Sequence, residues 1–147
     1  PGQVANKFLY LFTIFKCLQQ YTLQKARIEF DNKRIEKYCY TINAGICPYS
    51  GGGMRIVPHA QPNDGLLALT IAGALTKLGV LLNTPRFYNG HLDRHAKVDL
   101  FQTRQIKISS LDEKSIPVEA DGEFLGYTPV EIEILPKVLQ VIVPINY

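Results

Sequence analysis

Three carboxylates gathered around one tight turn are the first residues of this 147-residue chain whose types and spacing could do chemistry: Glu119, Asp121 and Glu123. Asp121-Gly122 between two alternating runs is the strongest short hairpin signal in the sequence. A hairpin needs that dipeptide but does not need Glu123. A carboxylate at a hairpin mouth can take a proton from an alcohol within hydrogen-bond reach. The plainer reading of the same residues is an exposed turn with incidental acids. A second candidate is Gln61-Pro62-Asn63-Asp64-Gly65-Leu66-Leu67. Asp64 there reads either as a turn residue bonding nearby backbone N–H groups or as the carboxylate of a hard-cation site. One carboxylate, turned-in carbonyls and water suit Mg²⁺ or Ca²⁺.

Other motifs carry less. Gly51-Gly52-Gly53 lacks the following Lys-Ser/Thr and the helix of a phosphate loop. It reads as a turn or bulge that needs positive φ, though three glycines would let a backbone approach a neighbour or ligand closely. His91 and His95 stand four apart, the spacing of a helical metal pair, but Asn89-Gly90 precedes them and a polar loop with local hydrogen bonding is the expectation. Cys17, Cys39 and Cys47 are odd in number with no C-x-x-C spacing, which points away from a disulfide framework or a zinc site. Each reads as a small buried apolar residue in a reducing, intracellular compartment.

The elements that must hold these residues are mostly strands. Residues 27–30 alternate, Asp31-Asn32-Lys33 supplies turn chemistry, and residues 35–42 are strong β-formers, closed by Asn43-Ala44-Gly45. Residues 54–57 form one short candidate strand in a Gly/Pro-rich loop, and residues 66–71 read as a buried strand. Residues 105–110, 115–120, 123–135 (broken at Thr128-Pro129) and 138–143 read as four more. Helical spacing occurs twice: Phe8, Leu11, Phe12, Phe15 and Leu18 form an amphipathic helix, and residues 74–82 a second. Residues 85–95 read as irregular. The fold class expected is mostly β, a β-sandwich of antiparallel strands with one N-terminal helix and one inserted helix.

Composition limits the partners. The apolar fraction of 46% and charged fraction of 20% are those of a globular domain, and a chain near this size buries about 70% of its unfolded surface. A net charge of +3 is too small to argue for nucleic acid. The mild cluster Lys33, Arg34 and Lys37 reads as a solvated hairpin end. The apolar stretch at residues 8–18 is interrupted by Thr13 and Lys16 and falls short of the roughly 20 apolar residues of a membrane span. The chain starts at Pro1-Gly2 rather than Met, so further sequence is expected ahead of it.

Taken in order, Asn43, Gly51-Gly52-Gly53-Met54, Pro58-His59-Ala60-Gln61-Pro62-Asn63-Asp64-Gly65-Leu66-Leu67, Gly90-His91, Asp121-Gly122-Glu123, Thr128-Pro129 and Val141-Ile142-Val143-Pro144 resemble the C-terminal domain of the diacylglycerol kinase family. That family groups bacterial diacylglycerol and related lipid kinases with sphingosine and ceramide kinases. The resemblance runs from about Lys7 to the C-terminus. It implies a β-sandwich half, residues 1–147 with a junction helix at 1–20, of a two-domain NAD kinase/diacylglycerol kinase-like fold. The family's N-terminal domain carries a Gly-Gly-Asp-Gly-Thr loop for ATP. This chain has no such loop, so the isolated chain is expected to be inactive.

By position, the resemblance makes Glu123 the general base for the lipid hydroxyl. It makes Gln61, Asp64 and Leu66 ligands of a structural Mg²⁺, the first and last through carbonyls. Asn63 departs from the family's Asp-Asp, so weaker metal binding is expected. Diacylglycerol is the default lipid alcohol. The implied partners are the chain's own nucleotide-binding domain, the lipid substrate and, transiently, a membrane surface, with no nucleic acid. The setting is bacterial and cytoplasmic, peripheral to the membrane. Exposed sandwich edges could pair into a homodimer. Two rival readings are a non-catalytic lipid-binding or scaffold module with a kinase-like fold, and a kinase for a soluble substrate.

Overall fold

The computed structural model describes residues 22–140 and 142. The N-terminal helix expected from the spacing of Phe8 to Leu18, and Cys17 with it, lie outside them. Among the described residues eight strands follow in chain order: β1 (Gln24–Phe30), β2 (Lys33–Gly45), β3 (Leu67–Gly73), β4 (Val98–Thr103), β5 (Gln105–Ser110), β6 (Pro117–Ala120), β7 (Glu123–Tyr127) and β8 (Val130–Glu133). The helix α1 (Lys77–Asn89) lies between β3 and β4. Six strands form a sheet in the order β4-β3-β2-β1-β5-β8, every neighbouring pair antiparallel, and β6 with β7 forms a separate hairpin.

The sequence dictates the first hairpin. Ala26, Ile28 and Phe30 alternate with Arg27 and Glu29, and only the former are buried. Asp31 and Asn32 both take positive φ, 46° and 61°, the geometry that matches the twist of flanking strands. β2 then serves two partners. Residues up to Cys39 pair with β1, residues from Cys39 onward pair with β3, and the register shifts between Cys39 and Thr41. Such a bulge bends the strand and lets it pass from one layer to the other.

The link between β4 and β5 requires that bend. Arg104 alone separates them, yet they stand four places apart in the sheet. Four flat inter-strand spacings would span about 19 Å, whereas the two peptide steps from Thr103 to Gln105 reach about 7 Å. The sheet therefore folds over on itself. Phe30 of β1 meets Phe101 of β4 at 4.9 Å between ring centroids, and Thr103 Oγ1 donates to Asp31 Oδ1 at 2.9 Å. The result is two packed layers, β1-β5-β8 against β3-β4, joined through β2.

The core lies between the layers. Ile28, Leu69, Ile71 and Ile106 are 0% exposed, with Phe30, Cys39, Leu67 and Ile108 packed around them. Each such aliphatic side chain contributes about 1.5–3 kcal/mol by leaving water. β3 is buried on both faces, which is why residues 66–71 read as a continuous apolar run. Its reverse face carries the small side chains Ala68, Thr70 and Ala72; Ala68 packs under Val57 and Ala60, while Thr70 and Ala72 face Val80 and Phe87 of α1.

Several expectations are corrected. α1 runs on to Asn89 through Pro85, where irregular chain was expected from residue 85. Thr76 Oγ1 caps its start by accepting from the Gly79 N–H at 3.0 Å, and Gly90 ends it at φ 73°. Pro85 sits beside the exposed Leu81, where water can reach the carbonyl that loses its partner, and the Arg55 N–H donates to the Phe87 carbonyl at 2.6 Å, holding the last turn. β4 was not anticipated because Asp99 and Gln102 break its apolar pattern; Asp99 pairs across the sheet with Lys37. The strand expected over residues 54–57 is a single bridge between Ser50 and Met54. Of the strand expected over 138–143, residues 138–140 and 142 carry none and the rest lie outside the described residues.

Candidate functional site

The β6–β7 hairpin holds Glu123 at its mouth. Ala120 pairs with Glu123 across the turn, and Asp121 and Gly122 take φ 51° and 87°, so the Asp-Gly signal is realised as a two-residue turn with both central φ positive. Glu119 pairs with Phe124 one step on. Directly paired residues share a face of a hairpin, so Glu119 and Glu123 lie on opposite faces and the three acids do not form one cluster. Glu123 is exposed, and among the described residues no hydrogen bond or ion pair engages its carboxylate. The strand it opens is exposed and apolar: Phe124, Leu125 and Tyr127 all face solvent among the described residues, Phe124 meeting Tyr127 edge-on at 5.3 Å.

The second candidate lies at the entry to β3. Asp64 Oδ1 accepts from the Leu66 N–H at 2.8 Å, and Oδ2 accepts from the Gln102 side-chain amide at 3.0 Å. The Asp64 N–H donates to the Gln61 carbonyl at 3.4 Å. Gly65 takes φ +71°, and a Cβ there would touch Pro136 at 3.9 Å. The turn reading is thus realised in full. The oxygens still suit a hard cation, because a carboxylate offers about four lone-pair sites and a carbonyl two, and the exposed turn leaves room for water to complete a shell. Gln102, 38 residues from Asp64, is the site residue that sequence reasoning missed. It arrives from β4, and no local signal announces it.

Asp64 and Glu123 are not joined by any hydrogen bond or ion pair among the described residues. His59, in the motif run before Asp64, bonds the Phe101 carbonyl through Nε2 at 2.8 Å and so ties residues 56–60 to β4. Gly52 and Gly53 take φ 70° and 78°, as a turn needing positive φ requires, and no described atom lies within 4 Å of where their Cβ atoms would be. His91 lies in a short 3-10 turn, His95 Nδ1 accepts from the Lys97 N–H at 3.1 Å, and the His91 N–H donates to Asn89 Oδ1 at 3.2 Å. The polar-loop reading holds for that segment. Cys39 is buried, but Cys47 is exposed, against expectation, because it follows β2 into the loop. Of the basic cluster, Arg34 pairs with Glu36, Lys37 with Asp99, and Lys33 lies over the Phe30 and Phe101 rings at 5.9 and 5.8 Å.

Comparison with known proteins agrees with this architecture. A diacylglycerol kinase of Mycobacterium tuberculosis is 35% identical over 94 residues, covering 64% of this chain and 29% of that protein. A diacylglycerol kinase of Staphylococcus haemolyticus is 28% identical over 143 residues, covering 96% of this chain and 42% of that protein. The chain therefore spans less than half the length of these relatives. A crystal structure of a diacylglycerol kinase from Bacillus anthracis superposes with a TM-score of 0.61 at 19% identity, over 84% of this chain and 44% of that one, a likeness of fold. Residues 3–143 match the family described as the YegS C-terminal NAD kinase beta sandwich-like domain, and the chain belongs to that family.

Proposed function

We propose that this chain is the substrate-side half of an ATP-dependent lipid kinase, supplying the general base, and that it is inactive without a nucleotide-binding domain. The observation that carries the reading is Glu123: an exposed carboxylate, unengaged among the described residues, fixed on a tight hairpin at the head of an exposed apolar strand. A free carboxylate is ready to accept a proton, and the apolar side chains beside it suit a substrate with acyl chains. The kinase names of the relatives supply the reaction class.

In this reading a Glu123 carboxylate oxygen accepts the hydroxyl proton of diacylglycerol. The hydroxyl oxygen forms a bond to the γ-phosphorus of ATP as the bond from that phosphorus to the bridging β–γ oxygen breaks, leaving ADP and phosphatidic acid. Positioning and charge stabilisation do most of the work in phosphoryl transfer, and the base contributes about 10²–10⁴-fold. ATP and its own metal belong to the other domain. Gln61, Asp64 and Leu66 would hold a separate structural Mg²⁺, which would supply a fixed positive charge bracing the turn between β3 and Gln102 of β4. Among the described residues no helix is long and apolar enough to cross a membrane.

The test is phosphate transfer from labelled ATP by the intact protein to diacylglycerol, to a panel of other lipid alcohols and to soluble polyols. Labelled phosphatidic acid supports the reading. Transfer to soluble acceptors alone would make this a soluble-substrate kinase, and no transfer to any acceptor would leave a lipid-binding scaffold.

A further inference from the structure

The β6–β7 hairpin stands clear of the sandwich that carries it. Neither strand joins the six-stranded sheet, and no residue from 117 to 127 is buried. Among the described residues no hydrogen bond or ion pair runs from this arm to either layer. Its attitude is therefore set where it leaves the sandwich. There Thr128 and Ile116 close a clamp. The Thr128 N–H donates to the Ile116 carbonyl at 2.9 Å, and Thr128 Oγ1 accepts from the Ile116 N–H at 3.0 Å. Both partners are seated: Thr128 is 8% exposed, and Ile116 packs against the core between the layers. Upstream, Ser110 Oγ donates to the Lys114 carbonyl at 2.7 Å and gathers the loop ahead of Ile116 onto the end of β5. Downstream, Val130 joins the ladder of β8 with β5.

Between the clamp and Glu123 the arm is bent. Val118 pairs with Gly126 but Glu119 pairs with Phe124, so Leu125 is an extra residue on β7 with no partner across the hairpin. Such a bulge bends its strand and re-aims the side chains beyond it. Gly126 takes φ 127°, in a region that disfavours any side chain. The ring pair of this strand follows from the same bulge. Residues three apart on a regular strand point to opposite faces. Phe124 and Tyr127 nevertheless meet edge-on at 5.3 Å, because the extra residue returns them to one face, where they brace the bend. Glu123 lies about 15 Å from the clamp along β7. A tilt of about 5° at the clamp carries its carboxylate about 1.3 Å, and about 1 Å of misplacement can cost about 10²-fold in rate.

We propose that Thr128 and Gly126 are positioning residues for phosphate transfer. The clamp at Thr128 fixes the base of the hairpin arm, the bulge at Gly126 bends it, and together they aim the Glu123 carboxylate at the substrate hydroxyl. Neither residue touches substrate. The aim matters only if Glu123 is the general base, so the proposal rests on that reading, which stands even if Thr128 and Gly126 prove not to aim it.

The experiment is steady-state turnover of diacylglycerol and ATP by the intact protein. It compares wild type, Gly126→Ala, Thr128→Val and Thr128→Ser, with Gly126→Ala and Thr128→Val also placed in the Glu123→Gln background. A Cβ at Gly126 meets no described atom within 4 Å, so alanine there acts on the backbone bend alone. An arm with nothing buried should relax without moving the thermal melt. Thr128→Val keeps the shape and removes the oxygen that holds the Ile116 N–H. We expect each to lower kcat about tenfold to 10²-fold with KM for ATP unchanged, and Thr128→Ser, which restores the oxygen, to recover most of the loss. In the Glu123→Gln background neither should lower kcat further, as expected of residues that act through a third. A further drop of the same size in that background, or kcat at the wild-type level in either folded single variant, overturns the proposal, and a loss in Glu123→Gln alone then leaves the base in place. Turnover by Glu123→Gln equal to wild type refutes the base and overturns the proposal with it.

Discussion

Replacing Asp64 separates two roles that one side chain could combine. Asp64→Ala removes both hydrogen bonds of the carboxylate, to the Leu66 N–H and to the Gln102 amide. At about 0.5–1.5 kcal/mol each the loss is about 1–3 kcal/mol. In a domain of this size about 1 kcal/mol moves the melting midpoint by roughly 3 °C, so the alanine variant should melt about 3–9 °C below wild type in chelator. Asp64→Asn keeps an oxygen for the Leu66 N–H and should stay within about 3 °C. Magnesium then discriminates. If Asp64 with the Gln61 and Leu66 carbonyls holds Mg²⁺, a concentration one hundred times Kd adds about 2.7 kcal/mol to wild type, roughly 8 °C by the same conversion. Neither variant should gain it. The assay is a circular-dichroism melt of the intact protein in chelator and in Mg²⁺. A magnesium shift in Asp64→Asn equal to that of wild type would refute the reasoning, since the ion would then sit elsewhere.

Two further outcomes follow from the core and the thiols. Leu69→Ala, at a site with 0% exposure between the layers, should lose about 2–5 kcal/mol in denaturant titration; a loss below about 1 kcal/mol would mean the layers do not close over it. A maleimide should label Cys47 in the native protein and Cys39 only on unfolding. Burial pushes the Cys39 thiol up from 9.0 to about 11, Lys37 opposing and Asp99 adding. A folded-state pKa above the unfolded value means that this contribution is full below pH 9 and is lost as pH rises through 11. Cys39→Ala should therefore lose less stability than wild type across that window, and equal pH slopes would contradict the assignment.

Much of this fold was legible because local chemistry and burial agreed. Asp31-Asn32 and Asp121-Gly122 announced their hairpins by residue type, and both are turns with positive φ. β3 could be read because burial on both faces left no polar alternation. β4 could not, since it carries Asp99 and Gln102, whose partners Lys37 and Asp64 come from distant sequence. Helical spacing over residues 74–82 stops short of Pro85 because proline rules are local, while the bond from Arg55 to Phe87 that holds the last turn of α1 is not. At Asp64 the sequence offers both a turn and a cation ligand; the turn is present, and its anchor to Gln102 has no local signal. Glu119, Asp121 and Glu123 looked like a cluster in sequence, and only the register put Glu119 and Glu123 on opposite faces.

Glu123 is the residue on which the functional account turns. The most direct measurement is the turnover of diacylglycerol and ATP by the intact protein carrying Glu123→Gln, beside wild type and Glu119→Gln. Loss of the base should lower kcat by about 10²-fold or more with little change in the melt, because the side chain is exposed and bonds to nothing described, while Glu119→Gln stays near wild type. Equal turnover by wild type and Glu123→Gln would contradict the account and reduce Glu123 to a turn residue.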